Sequence, residues 1–146
     1  MICPFCGNLE SKVTNKRNVD KIIRRRRECL SCKRRFTTYE RPEIELVVIK
    51  KDGRRENYDR NKIKNGMIKA CEKRPVSREE IERHIDKIEE ALRKKGKEVN
   101  SQLIGELVMK SLKKLDKVAY IRFASVYKEF KDINDFRKEI RGVGRH

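Results

Sequence analysis

The stretches Cys3-Pro4-Phe5-Cys6 and Arg24-Arg25-Arg26-Arg27-Glu28-Cys29-Leu30-Ser31-Cys32 decide how the N-terminal part of this chain folds. Each Cys-x-x-Cys brings two sulfurs off one tight turn, so both reach the same ion. Two such knuckles separated by 22 residues can close one four-cysteine tetrahedral zinc site. One structural Zn²⁺ held by Cys3, Cys6, Cys29 and Cys32 would cross-link a segment too small to fold on a core of its own. The alternatives are two disulfides or four unrelated thiols. There is no apolar leader and no membrane-length apolar run, so a reducing cytoplasm is expected, which favours metal over disulfide.

Composition narrows the partner. The chain has 146 residues, 43% of them charged and 36% hydrophobic, with a formal net charge of +17. A modest core and a strong positive field point to a polyanion, nucleic acid before acidic membrane. The charge is denser at the start. Residues 1–42 hold twelve Lys/Arg and four Asp/Glu, a net +8, against +9 over the remaining 104 residues. Four thiolates on one Zn²⁺ reduce the first figure to about +6.

A boundary falls near Arg41-Pro42-Glu43. Beyond it Ile44–Ile49 is β-prone, and Lys51-Asp52-Gly53-Arg54 is a hairpin turn in which Asp-Gly supplies positive φ values. A return strand over Arg55–Tyr58 follows. Four helices come next. The first is capped by Asp59 and buries Ile63, Met67, Ala70 and Cys71, which makes Cys71 a core thiol. Pro75 closes that region. Ser77 and Glu80 form a capping box for the second helix, with Ile81, Ile85, Ile88 and Leu92 on one stripe, stopped at Lys95-Gly96-Lys97. The third starts at Ser101 and carries Leu103, Ile104, Leu107, Val108 and Leu112. The fourth starts at Asp116 and carries Ala119, Tyr120, Phe123, Val126, Tyr127 and Phe130. Residues 131–146 read as a fraying helical tail. The fold class is α+β: a small β zinc ribbon, then a hairpin on a four-helix cluster.

The four arginines sit on an expected strand, Val19–Glu28. Alternation sends Arg24 and Arg26 to one face and Arg25 and Arg27 to the other. One flat face therefore cannot present all four, but a thin hairpin in a groove can. Arginine suits both base edges and phosphates because its planar fork pairs two-pronged. Lys33, Arg34 and Arg35 extend the patch, and Phe36 is expected to pack on Phe5. A solvated basic face is the plain alternative, and the residues alone do not separate DNA from RNA.

The segment from Val48 to Ile63 gathers Lys50, Lys51, Lys62 and the acids Asp52, Glu56 and Asp59 at one hairpin and the first turn of a helix. Helix N-termini attract phosphate, so lysines beside one can hold a triphosphate. An ordinary basic surface hairpin explains the same residues.

This segment resembles the ATP-cone, a nucleotide-sensing domain of ribonucleotide reductases. With Cys3-Pro-Phe-Cys6, the run from Arg24 to Glu40, Lys73-Arg-Pro-Val-Ser77 and Leu115–Phe130, the whole chain is similar to the NrdR family, bacterial repressors of ribonucleotide reductase genes. The resemblance implies a zinc-ribbon DNA-binding domain over 1–42, an ATP-cone over 46–136 and a tail over 137–146. Arg24–Arg27, Lys33, Arg34 and Arg35 would contact double-stranded operator DNA. Lys50, Lys51 and Lys62 would hold phosphates of ATP or dATP, Val48 and Ile63 would flank the base, and Glu56 and Asp59 would fix base or sugar. Ser101, Arg122 and Tyr127 are further candidates, each equally readable as a cap or core residue. The resemblance also implies a nucleotide-dependent homo-oligomer, and the expectation from the residues below is that the chain is not an enzyme. Two rivals remain: a constitutive zinc-ribbon RNA- or ribosome-binding protein, and an enzyme. Against the enzyme, there is no GxxxxGK[ST] loop, His84 and His146 are isolated, and zinc would leave no open metal position.

Overall fold

In a computed structural model the described residues, 1–144, divide into two compact units, Met1–Glu43 and the chain from Ile44 onward. The first unit is an antiparallel three-stranded sheet in the order β1-β2-β3, with β1 Ser11–Val19, β2 Ile22–Cys29 and β3 Arg35–Glu40. The expected single strand over Val19–Glu28 is in fact broken. Val19 ends β1, a two-residue turn at Asp20 and Lys21 follows, and Val19 pairs with Ile22. Asp20 takes φ +55, a conformation Asp tolerates because its short polar side chain bonds locally. The hydrophobic cluster here is only Cys3, Cys29 and Phe36, with Cys32 packed against it. Phe5 does not join it. Phe5 is 51% exposed, and the Arg34 guanidinium lies 5.1 Å over its ring. So small a cluster leaves stability to whatever the cysteines hold.

The second unit begins with β4 Val47–Ile49 and β5 Arg55–Asn57, an antiparallel hairpin. Of the turn residues only Gly53 takes a positive φ, +87, and Asp52 instead accepts from the Arg54 backbone N–H at 3.0 Å. Helix α1, Arg60–Ala70, starts at Asp59, whose carboxylate accepts from Asn61 N–H at 2.9 Å. Ile63, Met67, Ala70 and Cys71 are all buried. Helix α2, Arg78–Lys95, starts at a capping box: Ser77 accepts from Glu80 N–H at 3.1 Å and its hydroxyl faces Glu80 Oε1 at 3.3 Å. The stripe Ile81, Ile85, Ile88 and Leu92 is its buried face.

A third strand, β6 Glu98–Asn100, lies parallel to β4 and makes the sheet order β5-β4-β6. Helix α3, Ser101–Leu115, follows directly. Helix α4, Lys117–Tyr127, is capped by Asp116, which accepts from Ala119 N–H at 2.9 Å and pairs with Arg74. It stops short of Phe130 because Glu129 takes φ +51. Val126 is 78% exposed rather than part of the core face.

The chain after α4 is a fifth helix, α5 Ile133–Gly144, not a fraying tail. Val143 is buried, Phe136 meets Phe130 edge-on at 5.7 Å, and Glu139 bonds to Tyr120 Oη and to Lys128 Nζ. These contacts dock the segment. The last two residues of the expected tail, Arg145 and His146, lie outside the described residues. Among the described residues no helix is long and apolar enough to cross a membrane.

Candidate metal, nucleotide and nucleic-acid sites

The four sulfurs of Cys3, Cys6, Cys29 and Cys32 all lie within 4.8 Å of one another. Two of the distances are 3.7 Å, Cys3 to Cys32, and 3.5 Å, Cys6 to Cys29. Thiolates about 2.3 Å from a tetrahedral zinc are about 3.8 Å apart, so the arrangement fits the ion. Backbone N–H groups support the sulfurs: Phe5 N–H donates to Cys3 and Cys32 N–H to Cys29, each at 3.4 Å. The Cys32 N–H is the main reason that the Cys29 thiol falls to about 6, against the opposing effect of burial. Arg34 N–H favours a Cys32 thiolate, but burial and the neighbouring sulfurs outweigh it and push Cys32 up to about 11. Four crowded thiols cannot all ionise without a cation among them.

The arginine run occupies the central strand of its sheet, so its charges divide between two faces. Arg26 donates to Thr37 Oγ1 at 2.9 Å on one face. On the other, Arg25 donates to Glu40 at 2.9 Å and Arg27 to Thr38 Oγ1 at 3.0 Å. The register puts Arg24 opposite Arg17 on one face and Arg25 opposite Lys16 on the other, so β1 adds a basic side chain to each face. Lys33, Arg34 and Arg35 lie beyond the second knuckle, Lys33 at φ +65 and Arg35 beside Glu28 at 3.6 Å.

In the second unit a cleft of about 300 Å³ opens between the hairpin, the N-terminus of α1, and helices α3 and α4. Nine of the ten sequence-derived nucleotide residues line it: Val48, Lys50, Lys51, Glu56, Asp59, Lys62, Ile63, Ser101 and Tyr127. Arg122 does not. It lines a neighbouring hollow of about 530 Å³, where its guanidinium donates to the carbonyls of Glu72 at 2.6 Å and Ala70 at 3.2 Å. It thus closes the C-terminal end of α1. Inside the cleft Glu56 stands between two ammonium groups, 3.1 Å from Lys62 Nζ and 3.6 Å from Lys50 Nζ. The Lys62 hydrogen bond, chiefly, holds the Glu56 carboxyl below the usual range.

The sequence reading missed Tyr58, Gly105 and Phe123, which also line the cleft. Tyr58 donates its hydroxyl to buried Glu89 at 2.7 Å, and Arg60 clamps the same acid together with Glu82 and Asp86. Phe123 stacks on Tyr127 at 5.9 Å. Gly105 is small because the ring of Tyr127 occupies the place of a Cβ. Its signal was a lone glycine inside an apolar helical pattern. His84, half-buried on α2, is held below the ordinary range by burial and by Lys87 and Lys114. His146 lies outside the described residues.

A four-cysteine ribbon followed by a separate α+β unit with a lysine-lined cleft defines a two-domain class of protein. The family model "Transcriptional repressor NrdR-like, N-terminal domain" matches residues 1–40, and "ATP cone domain" matches residues 46–133. The transcriptional repressor NrdR of Petrotoga mobilis is 59% identical over 97% of this chain and 97% of its own length. Those of Thermotoga neapolitana and Caldicellulosiruptor bescii are each 56% identical, over 99% and 97% of this chain and 96% and 95% of their own lengths. The chain belongs to the NrdR family of transcriptional repressors.

Proposed function

We propose that this protein is a nucleotide-responsive repressor whose ribbon, residues 1–42, binds double-stranded DNA upstream of ribonucleotide reductase genes. The cone, residues 46–136, reads ATP against dATP. The observation that carries the proposal is the convergence of Lys50, Lys51 and Lys62 with Val48, Ile63 and the α1 N-terminus in one cleft. A helix N-terminus with adjacent ammonium groups suits a polyphosphate, and the apolar pair suits a base. Glu56 and Asp59 have the acceptor oxygens that fix a base edge or a sugar hydroxyl. Ser101 and Tyr127 close the opposite wall. Zn²⁺ held by Cys3, Cys6, Cys29 and Cys32 keeps the basic sheet folded, and Arg24–Arg27 with Lys33, Arg34 and Arg35 form the polyanion-binding patch.

The coupling is a population shift. A ligand changes DNA affinity only if it favours one assembly over another. ATP favours a homo-oligomer whose ribbons are badly spaced for the operator. Added dATP favours one whose paired ribbons match two half-sites, and the fixed spacing raises effective concentration on the duplex. That the relatives are named transcriptional repressors supports a sensor over an enzyme. Isothermal titration of the zinc-loaded protein tests the cone half. Saturable ATP and dATP binding that Lys62→Ala weakens is the expected result. No binding of either nucleotide would refute this half.

A further inference from the structure

Pairing on both sides of β2 assigns every basic side chain of the sheet to a face. One face carries Lys12, Arg17, Arg24, Arg26 and Arg35 against a single acid, Glu28. The opposite face carries Lys16, Arg25 and Arg27 against Glu40. The first is net +4 and the second +2. The second face also carries Phe36, whose ring is buried against Cys3 and Cys29.

Both faces have satisfied charges: on the first, Lys12 and Arg35 pair with Glu28 and Arg26 donates to Thr37 Oγ1. On the second, Arg25 is tied to Glu40 and Arg27 to Thr38. Arg17 and Arg24 stand directly opposite each other across β1 and β2, and neither guanidinium has a hydrogen-bond or ion-pair partner among the described residues. Like charges facing each other across a strand pair destabilise the pair. Two unscreened guanidinium forks held side by side form a site that an anion relieves. Beside them Asn15 and Thr37 offer neutral hydrogen-bonding groups at the Arg26 position of the ladder.

We infer that the ribbon meets duplex DNA through the Arg17–Arg24–Arg26 face, and that Arg17 on β1 is a DNA-contacting residue paired with Arg24. The inference rests on the DNA-binding reading above and deepens it. Arg25 and Arg27, tied to Glu40 and Thr38 on the opposite face, then add to the patch through their positive field rather than by touching the duplex. The occupant is the phosphate backbone of double-stranded DNA, because the exposed groups are forks matched to phosphate oxygens.

The test compares neighbours of equal charge change on opposite faces. Full-length, zinc-loaded wild type, Arg17→Gln, Arg24→Gln and Lys16→Gln are titrated into a labelled duplex from upstream of a reductase gene, with ATP and dATP present, over a salt series. Arg17→Gln and Arg24→Gln should each weaken binding roughly tenfold and flatten the log–log salt slope by about 0.9, the signature of one lost phosphate contact. Lys16→Gln should stay within about twofold of wild type. Zinc content and far-ultraviolet circular dichroism report whether the ribbon is intact, and a loss of affinity counts only in variants that keep both. Equal losses for Lys16→Gln and Arg17→Gln, or wild-type binding by Arg17→Gln, would overturn the face assignment. If wild type binds no duplex at any salt, or binds the matching single-stranded RNA more tightly, the underlying DNA-binding reading falls and the inference with it.

Discussion

Alanine at Gly105 is the substitution that most sharply separates cleft geometry from overall stability. A Cβ built there falls 2.3 Å from Cε2 and Cζ of Tyr127 and 2.5 Å from its hydroxyl. Ordinary contact begins near 3.4 Å, so the ring must retreat by about 1 Å or change rotamer. Tyr127 then gives up its stacking on Phe123, about 1 kcal/mol, and its 3.2 Å bond to the Gln102 carbonyl, about 1 kcal/mol at most for an exposed pair. Alanine in a helix interior returns about 1 kcal/mol over glycine. The net destabilisation is therefore about 1 kcal/mol, a fall in Tm of about 4–8 °C for a unit of this size. The effect on the cleft is larger in kind, because Tyr127 is one of its walls. We expect ATP and dATP to bind about tenfold more weakly, equivalent to about 1.4 kcal/mol. Differential scanning calorimetry and isothermal titration on the same preparation measure both. Unchanged nucleotide affinity beside a Tm loss of that size would refute the assignment of Tyr127 to the binding wall.

Removing zinc with a chelator should erase the NMR cross-strand signals of residues 11–40 and leave the thermal transition of the second unit in place, since that unit has its own core. Replacing Arg24–Arg27 with alanine should abolish DNA binding and spare nucleotide binding, and Lys62→Ala should do the reverse, as read by anisotropy and calorimetry. Glu89→Ala leaves the Tyr58 hydroxyl unpaired but keeps Arg60 with Glu82 and Asp86, so it should cost about 2 kcal/mol in urea unfolding. Stability should also narrow at both ends of the pH scale. Glu56, Glu82 and Glu139 are all depressed from 4.5, so their contribution is present above that value and is lost as pH falls below it. Tyr120 is raised from 10.0 to about 12 by burial and Glu139, so its contribution is lost as pH climbs through that interval.

The parts that the sequence made legible were those with a fixed chemical spacing. The cysteine pairs, the Ser77–Glu80 box, the Asp59 and Asp116 caps and the α2 stripe each follow from a local rule. What escaped was set by pairing at a distance. Strand β1 is exposed along nearly its whole length and carries no apolar alternation, so only its ladder with β2 defines it. Strand β6 is three residues with one buried side chain, Val99, and forms because β4 lies beside it. Phe5 could pack on Phe36 or under a cation, and Arg34 happens to follow the second knuckle closely enough to cover it. Arg122 entered as a candidate only through the family resemblance. The carbonyls of Ala70, the last residue of α1, and of Glu72 just beyond it hold its guanidinium outside the cleft. The cleft residues near the hairpin were readable because one continuous segment supplies them, while its far wall comes from α3 and α4.

The central claim is that nucleotide identity in the cone controls DNA binding by the ribbon. Fluorescence anisotropy of zinc-loaded protein on a duplex from upstream of a reductase gene, at fixed salt, addresses it most directly. The arms are no nucleotide, ATP alone, and ATP with dATP. Tight binding only in the presence of dATP is the predicted result. Equal affinity in all three arms would contradict it.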